Sequence, residues 1–146
     1  MDTSTKVIIG GVTVLALGGG TYYLLNKNKK NKAAKEGIEL AQTEAQQILK
    51  NNAHLPPDQQ IRASYTPQQM KTYADKLHTA MDGLGTDNDA VKDVFEKMNN
   101  DLDILLLIEQ FGVRDDDDLG EWLADDGATE YVNEILETKA MITKRF

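Results

Sequence analysis

The sequence predicts an all-α protein: one N-terminal transmembrane helix, a helical stalk and a compact five-helix domain. Three observations carry that expectation. Val7 to Leu25, VIIGGVTVLALGGGTYYLL, runs for nineteen residues without a charge. A helix of that length reaches about 28 Å, close to the ~30 Å hydrocarbon core of a bilayer. From Ala33 onward apolar residues recur at helical spacing, and after Tyr65 capping residues, proline and glycine cut the chain into five short segments.

The first six residues are a short polar lead. The expected span, 7–25, continues past its glycines into Tyr22 and Tyr23, which suit the headgroup interface, and a dense lysine run follows. Both features favour a retained anchor over a cleaved signal peptide. Val7, Leu15, Leu17, Tyr22, Tyr23 and Leu25 mark the anchor. The glycines of the span follow no strict GxxxG spacing, so they give no specific sign of self-association. Lys27, Lys29, Lys30, Lys32 and Lys35 form a basic belt over the juxtamembrane linker, 26–35. One lysine precedes the span and five follow, which places the C-terminal domain on the positive, cytoplasmic or interior side.

Charge divides the chain. Residues 1–35 carry a net +5 and residues 36–146 a net −13, together the −8 of the whole. So acidic a domain argues against binding a phosphate backbone. The belt beside the span would meet anionic headgroups instead. There is no cysteine, which excludes a disulfide framework, a thiolate metal site and a cysteine nucleophile.

Residues 36–50 continue a helical pattern with a thin stripe of Ile38, Ala41, Ala45, Ile48 and Leu49. This reads as a solvent-facing stalk, or as a helix that docks on a partner. Pro56-Pro57 interrupts it, making 51–65 a linker with Leu55 and Ile61 tucked toward the domain. The domain fills 66–146. Thr66-Pro67-Gln68-Gln69 is a capping box with proline at N1. The first helix runs to Met81 with Met70, Tyr73, Ala74, Leu77 and Ala80 on one face. Thr86 with Asp89 repeats the capping pattern for a helix carrying Ala90, Val91, Val94, Phe95 and Met98. Asp101 caps a third, with Leu102, Leu105, Leu106, Ile108 and Phe111, and Gly112 ends it. The acidic run Asp115, Asp116, Asp117 and Asp118 opens a short fourth helix with Leu119, Trp122 and Leu123. A fifth starts near Thr129 and carries Tyr131, Val132, Ile135, Leu136 and Met141. Within the domain no β-strand signal competes with this reading.

Five short helices in this order, with Ala80-Met81-Asp82-Gly83-Leu84-Gly85-Thr86-Asp87 between the first two, then Phe111-Gly112, Asp118-Leu119 and Leu123, resemble one annexin repeat. The likeness covers about residues 66–140 and is closest to single annexin-like modules of microbial and phage proteins. It implies a Ca²⁺ site built from the carbonyls of Met81, Gly83 and Gly85. The pattern departs where the acidic ligand belongs: Trp122 stands there, with Glu121 adjacent and Asp125 about one turn on. Ca²⁺ prefers six to eight hard oxygens with a carboxylate among them, so three carbonyls alone would bind weakly.

Nothing in the sequence assembles a catalytic constellation. His54 and His78 have no companions at helical spacing, Ser4 and Ser64 lie in no nucleophile elbow, and the Asp115–Asp118 run matches no EF-hand loop. That run is a candidate face for a basic protein partner. The expectation is a non-enzymatic, membrane-anchored structural or adaptor protein without a required cofactor. It would tether a protein shell or complex to a lipid bilayer, for example in a membrane-containing virion. The rival is a Ca²⁺-dependent module that bridges membranes through the glycine turn.

Overall fold

The computed structural model describes the backbone of Thr5–Ile9, Val12–Ala16 and residues 27–139, 141 and 146, with side chains from residue 30 onward. Two strands, β1 (Thr5–Ile9) and β2 (Val12–Ala16), pair antiparallel with Thr5 opposite Ala16 and Ile9 opposite Val12. Six α-helices follow: α1 (Lys27–Asn52), α2 (Pro67–Met81), α3 (Asn88–Lys97), α4 (Asp101–Phe111), α5 (Leu119–Asp125) and α6 (Thr129–Thr138). From Lys27 onward the protein is all-α, as expected.

The N-terminal stretch differs from expectation where it is described. Its backbone is extended and paired at positions 5–9 and 12–16, whereas a helix from Val7 was expected. The reason is local. Val, Ile and Thr crowd both runs, and only Gly10-Gly11 separates them, a strong two-residue hairpin signal. Leu17, Tyr22, Tyr23 and Leu25 lie outside the described residues. Among the described residues no helix is long and apolar enough to cross a membrane.

The stalk is the second departure. It starts within the basic belt, at Lys27, and runs unbroken for 26 residues, about 39 Å at 1.5 Å per residue. It does not stand free in solvent. Ala41 and Ala45 bury against Leu102 and Leu105 of α4, flanked by Ile48, Leu106 and Ile108. Small side chains let the two backbones approach closely, so a thin stripe suffices. Gln42 Nε2 donates to Glu109 Oε1 at 3.2 Å, and Lys30 reaches Asp117, so α1 runs antiparallel to α4.

Helix α4 is apolar nearly all round because it is covered on both sides. Its Ile104, Leu107 and Phe111 enter the main core with Met70, Ala74, Leu77, Val91, Val94, Phe95 and Met98. Leu119 and Leu123 of α5 and Val132 and Leu136 of α6 close that core. Helix α2 runs parallel to α4, since Ser64 donates to Asp103 at one end and His78 meets Phe111 at the other. Helix α3 is antiparallel to α2: Lys76 pairs with Asp93 at 2.5 Å, and Tyr65 Oη donates to the Lys97 carbonyl at 2.8 Å.

Most expected boundaries hold, with one-residue shifts at two caps. The Thr66 capping box forms in both directions. Helix α3 is capped by Asp87, not Thr86; its side chain accepts from the Ala90 N–H. Helix α4 is capped by Asn100, not Asp101; its side chain accepts from the Asp103 N–H. Gly112 sits at φ 65°, which a glycine C-cap tolerates. Leu55 and Ile61 are exposed rather than tucked in. Met141 is buried, although α6 ends at Thr138. Phe146 returns to the core: Asn133 holds its N–H and C=O, and its ring meets Phe95 edge-on at 5.6 Å.

Candidate functional site

The helix directions gather several candidate residues at one pole of the bundle. The start of α1, the glycine turn after α2, the turn after α4 and the start of α6 all lie there. The turn after α4 explains the acidic run. Arg114 N–H donates to the Asp117 carbonyl at 2.9 Å, and Asp117 N–H returns to the Arg114 carbonyl at 3.0 Å. Asp115 and Asp116 sit at φ 52° and 73°. Two successive left-handed residues make a type I′ turn, a conformation that aspartate tolerates better than most side chains.

Sequence reasoning missed Arg114, which braces this turn. Its Nε donates to the Phe111 carbonyl at 2.9 Å and its Nη2 to Asp75 Oδ1 at 2.7 Å, while the guanidinium lies 4.8 Å from the Phe111 ring centre. Trp122 Nε1 donates to the Arg114 carbonyl at 3.0 Å, and His78 packs edge-on against Trp122 at 5.0 Å. Trp122 is thus a structural half-buried side chain, and His78 is its neighbour in an aromatic cluster.

The acidic run has a partner within the chain. Lys30 Nζ lies 2.9 Å from Asp117 Oδ1, and Asn31 Nδ2 donates to Asp116 Oδ1 at 3.0 Å. Asp115 is exposed. The Asp117 bond holds the Lys30 ammonium above its ordinary range. Lys32 reaches Glu36 at 3.8 Å on the surface and Lys35 is exposed; the side chains of Lys27 and Lys29 lie outside the described residues.

Beneath α1, Asp118 and Glu121 form a reciprocal capping box at the start of α5. Asp118 Oδ1 accepts from the Glu121 N–H at 3.0 Å, and Glu121 Oε2 accepts from the Asp118 N–H at 3.0 Å. Burial pushes Asp118 upward. Burial also raises Glu121 to about 7, with the charges of Asp118 and Asp117 adding to it and the Asp118 N–H and Lys30 opposing. Gly37 of α1 lies directly over this pair: a Cβ there would come within 3.0 Å of Asp118 Oδ2.

The glycine turn is open. Gly83 and Gly85 adopt φ 127° and 89°, and a Cβ on either would meet nothing within 4 Å. Leu84 between them is fully exposed, whereas the Met81 side chain is buried. Asp87 N–H closes the turn onto the Ala80 carbonyl at 2.9 Å. The implied Ca²⁺ ligands are placed as follows. Met81, Gly83 and Gly85 belong to this turn, Glu121 is engaged in the α5 cap, and Asp125 is exposed at the end of α5. No group of three or more acidic or histidine side chains among the described residues is arranged to hold a metal ion. The donor set is three neutral carbonyls, a poor match for a hard divalent cation.

No protein-family model, curated protein or solved structure matches the chain. The annexin likeness therefore rests on the helix order, the glycine turn, Phe111-Gly112, Asp118-Leu119 and Leu123 alone.

Proposed function

We propose that this chain is a non-enzymatic structural adaptor held to a lipid bilayer by residues 7–25, its helical bundle presenting an annexin-like module to other protein subunits. The observation that carries the reading is the nineteen-residue uncharged stretch, closed by lysines that begin α1 and so lead directly into the bundle. In hydrocarbon an isolated two-stranded ribbon leaves its outer N–H and C=O groups unpaired, at several kcal/mol each, whereas a helix pairs them internally. Lipid thus favours the spanning helix over the hairpin. The lysine asymmetry orients the bundle to the cytoplasmic or interior side. A protein shell lying against its own membrane is the kind of assembly such a tether fits.

Carbonate extraction of membranes from cells expressing the full chain tests the anchor. The intact chain should stay in the pellet, and Leu15→Arg should move it to the supernatant. Extraction of the intact chain would sink the reading. A second reading is favoured by Leu84, fully exposed between two glycines of positive φ: a Ca²⁺-dependent contact of the glycine turn with lipid. Binding of Ca²⁺ alone, followed by calorimetry on the full chain and on Gly85→Val, separates it from the adaptor; no heat from either chain rejects it.

A further inference from the structure

The contact between α1 and the start of α5 has an arrangement that simple packing does not require. Gly37 sits mid-helix, where glycine is less favourable than alanine. It lies over the Asp118 carboxyl, which shares a reciprocal cap with Glu121, each carboxyl 3.0 Å from the other's backbone N–H, and the Lys30 ammonium of α1 acts on Glu121. Among the described residues, these charged groups act on the cluster. From α1 comes Lys30; from the preceding turn comes Asp117, which takes the Lys30 ammonium; from α5 comes Asp125, whose charge also acts on Lys30. Two or three carboxyl groups therefore share one ammonium. Phe146, near Gly120, adds an apolar wall.

We propose that Asp118 and Glu121 are a proton-controlled latch for α1: the helix closes over them when the pair holds a proton, and lifts at its N-terminal end when both are ionised, releasing Lys30. The balance of charges gives the direction. With both ionised, three neighbouring carboxylates face one lysine in a partly buried site, and fuller solvation on opening relieves them. With one proton added, Asp117 and Lys30 remain a matched pair, and the remaining carboxylate is held by backbone N–H groups. Gly37 is what allows the close approach, since any side chain there would press on Asp118. This latch is independent of the membrane reading, because it concerns only the bundle.

The measurement is the distance between spin labels on the full chain in neutral detergent micelles. The chain has no native cysteine, so labels sit only at Lys35→Cys and Ala124→Cys, both exposed positions. In the closed bundle burial holds Glu121 at about 7, above its ordinary 4.5. The part of that shift that α1 supplies should make the ratio of short to long distances fall severalfold between about pH 5 and about pH 8. In Glu121→Gln, which keeps an oxygen to accept the Asp118 N–H, the fall should shrink, because Asp118 alone is left to titrate. If closure is too strong for the long distance to be seen, Gly37→Ala weakens it and brings the ratio into range. A ratio changing less than about twofold in both the parent and Gly37→Ala overturns the latch, as does an unaltered pH response in Glu121→Gln.

Discussion

Asp103 is the side chain whose burial most constrains its neighbours. It is wholly buried, with Oδ1 accepting from Ser64 N–H at 2.8 Å and Oδ2 from Asn99 N–H at 2.9 Å. It thereby ties the segment entering α2 to the start of α4. Asp103→Ala leaves two backbone donors without partners in a partly buried place, and should cost about 2–4 kcal/mol in urea unfolding. A loss below about 0.5 kcal/mol would show that water replaces the carboxyl without penalty. Glu121 gives the second expectation at this scale. Folding holds its proton up to about pH 7, whereas the unfolded side chain releases it near 4.5. Between those values folding takes up a proton, so stability falls as pH rises through the window and is level above it. The span is worth about 1–3 kcal/mol. Thermal melts of the parent and Glu121→Gln at several pH values check it: the parent's decline should be absent from the variant. Arg114, by contrast, offers no signal in the sequence, because its ionic partner Asp75 stands 39 residues away and is brought to it only by the fold.

At the scale of elements, the helices after Thr66 were legible because their signals are local. The Thr66 box, the glycine after Phe111 and the apolar faces each lie within a few residues of the structure they specify. The cap shifts to Asp87 and Asn100 have the same origin. Two neighbouring oxygen-bearing side chains compete for each cap, and the path of the incoming loop decides between them. What stayed hidden is non-local. Lys30 and Asp117 stand 87 residues apart, and the alanine stripe of α1 is too weak a pattern to disclose its docking on α4. The hairpin's cue, Gly10-Gly11 between two runs rich in β-branched residues, went unread beside the length of the uncharged run. Two expectations belong here. Gly37→Ala would gain about 1 kcal/mol in an unconstrained helix. Over Asp118 it should instead give no gain, with faster amide exchange in the first turns of α1; a full gain in stability would show that Asp118 yields freely. A peptide of residues 1–30 should be extended in buffer and helical in vesicles by circular dichroism, and extended structure persisting in vesicles would remove the basis for a spanning helix.

At the scale of the molecule, two apolar clusters meet through Leu106 and Ile108, which touch both. The long helix and the five that follow should therefore unfold together. Trp122, the single tryptophan, reports on the aromatic cluster at the pole where α1 starts, and circular dichroism reports on all helices. Their urea transitions should coincide, and an earlier loss of ellipticity would mean that α1 melts alone. The antiparallel run of α1 along α4 has a further consequence for an anchored chain. The end of α1 carries Leu49, and the segment after it Leu55 and Ile61, all exposed. They lie at or beyond the far end of α1, a helix about 39 Å long whose first residue follows the apolar stretch by two positions. With the helix fastened along its side to the bundle, that separation is a ruler. A partner gripping those three side chains would be held at a height from the bilayer set by the number of residues in one helix, and removing two turns from it would draw membrane and partner about 11 Å closer.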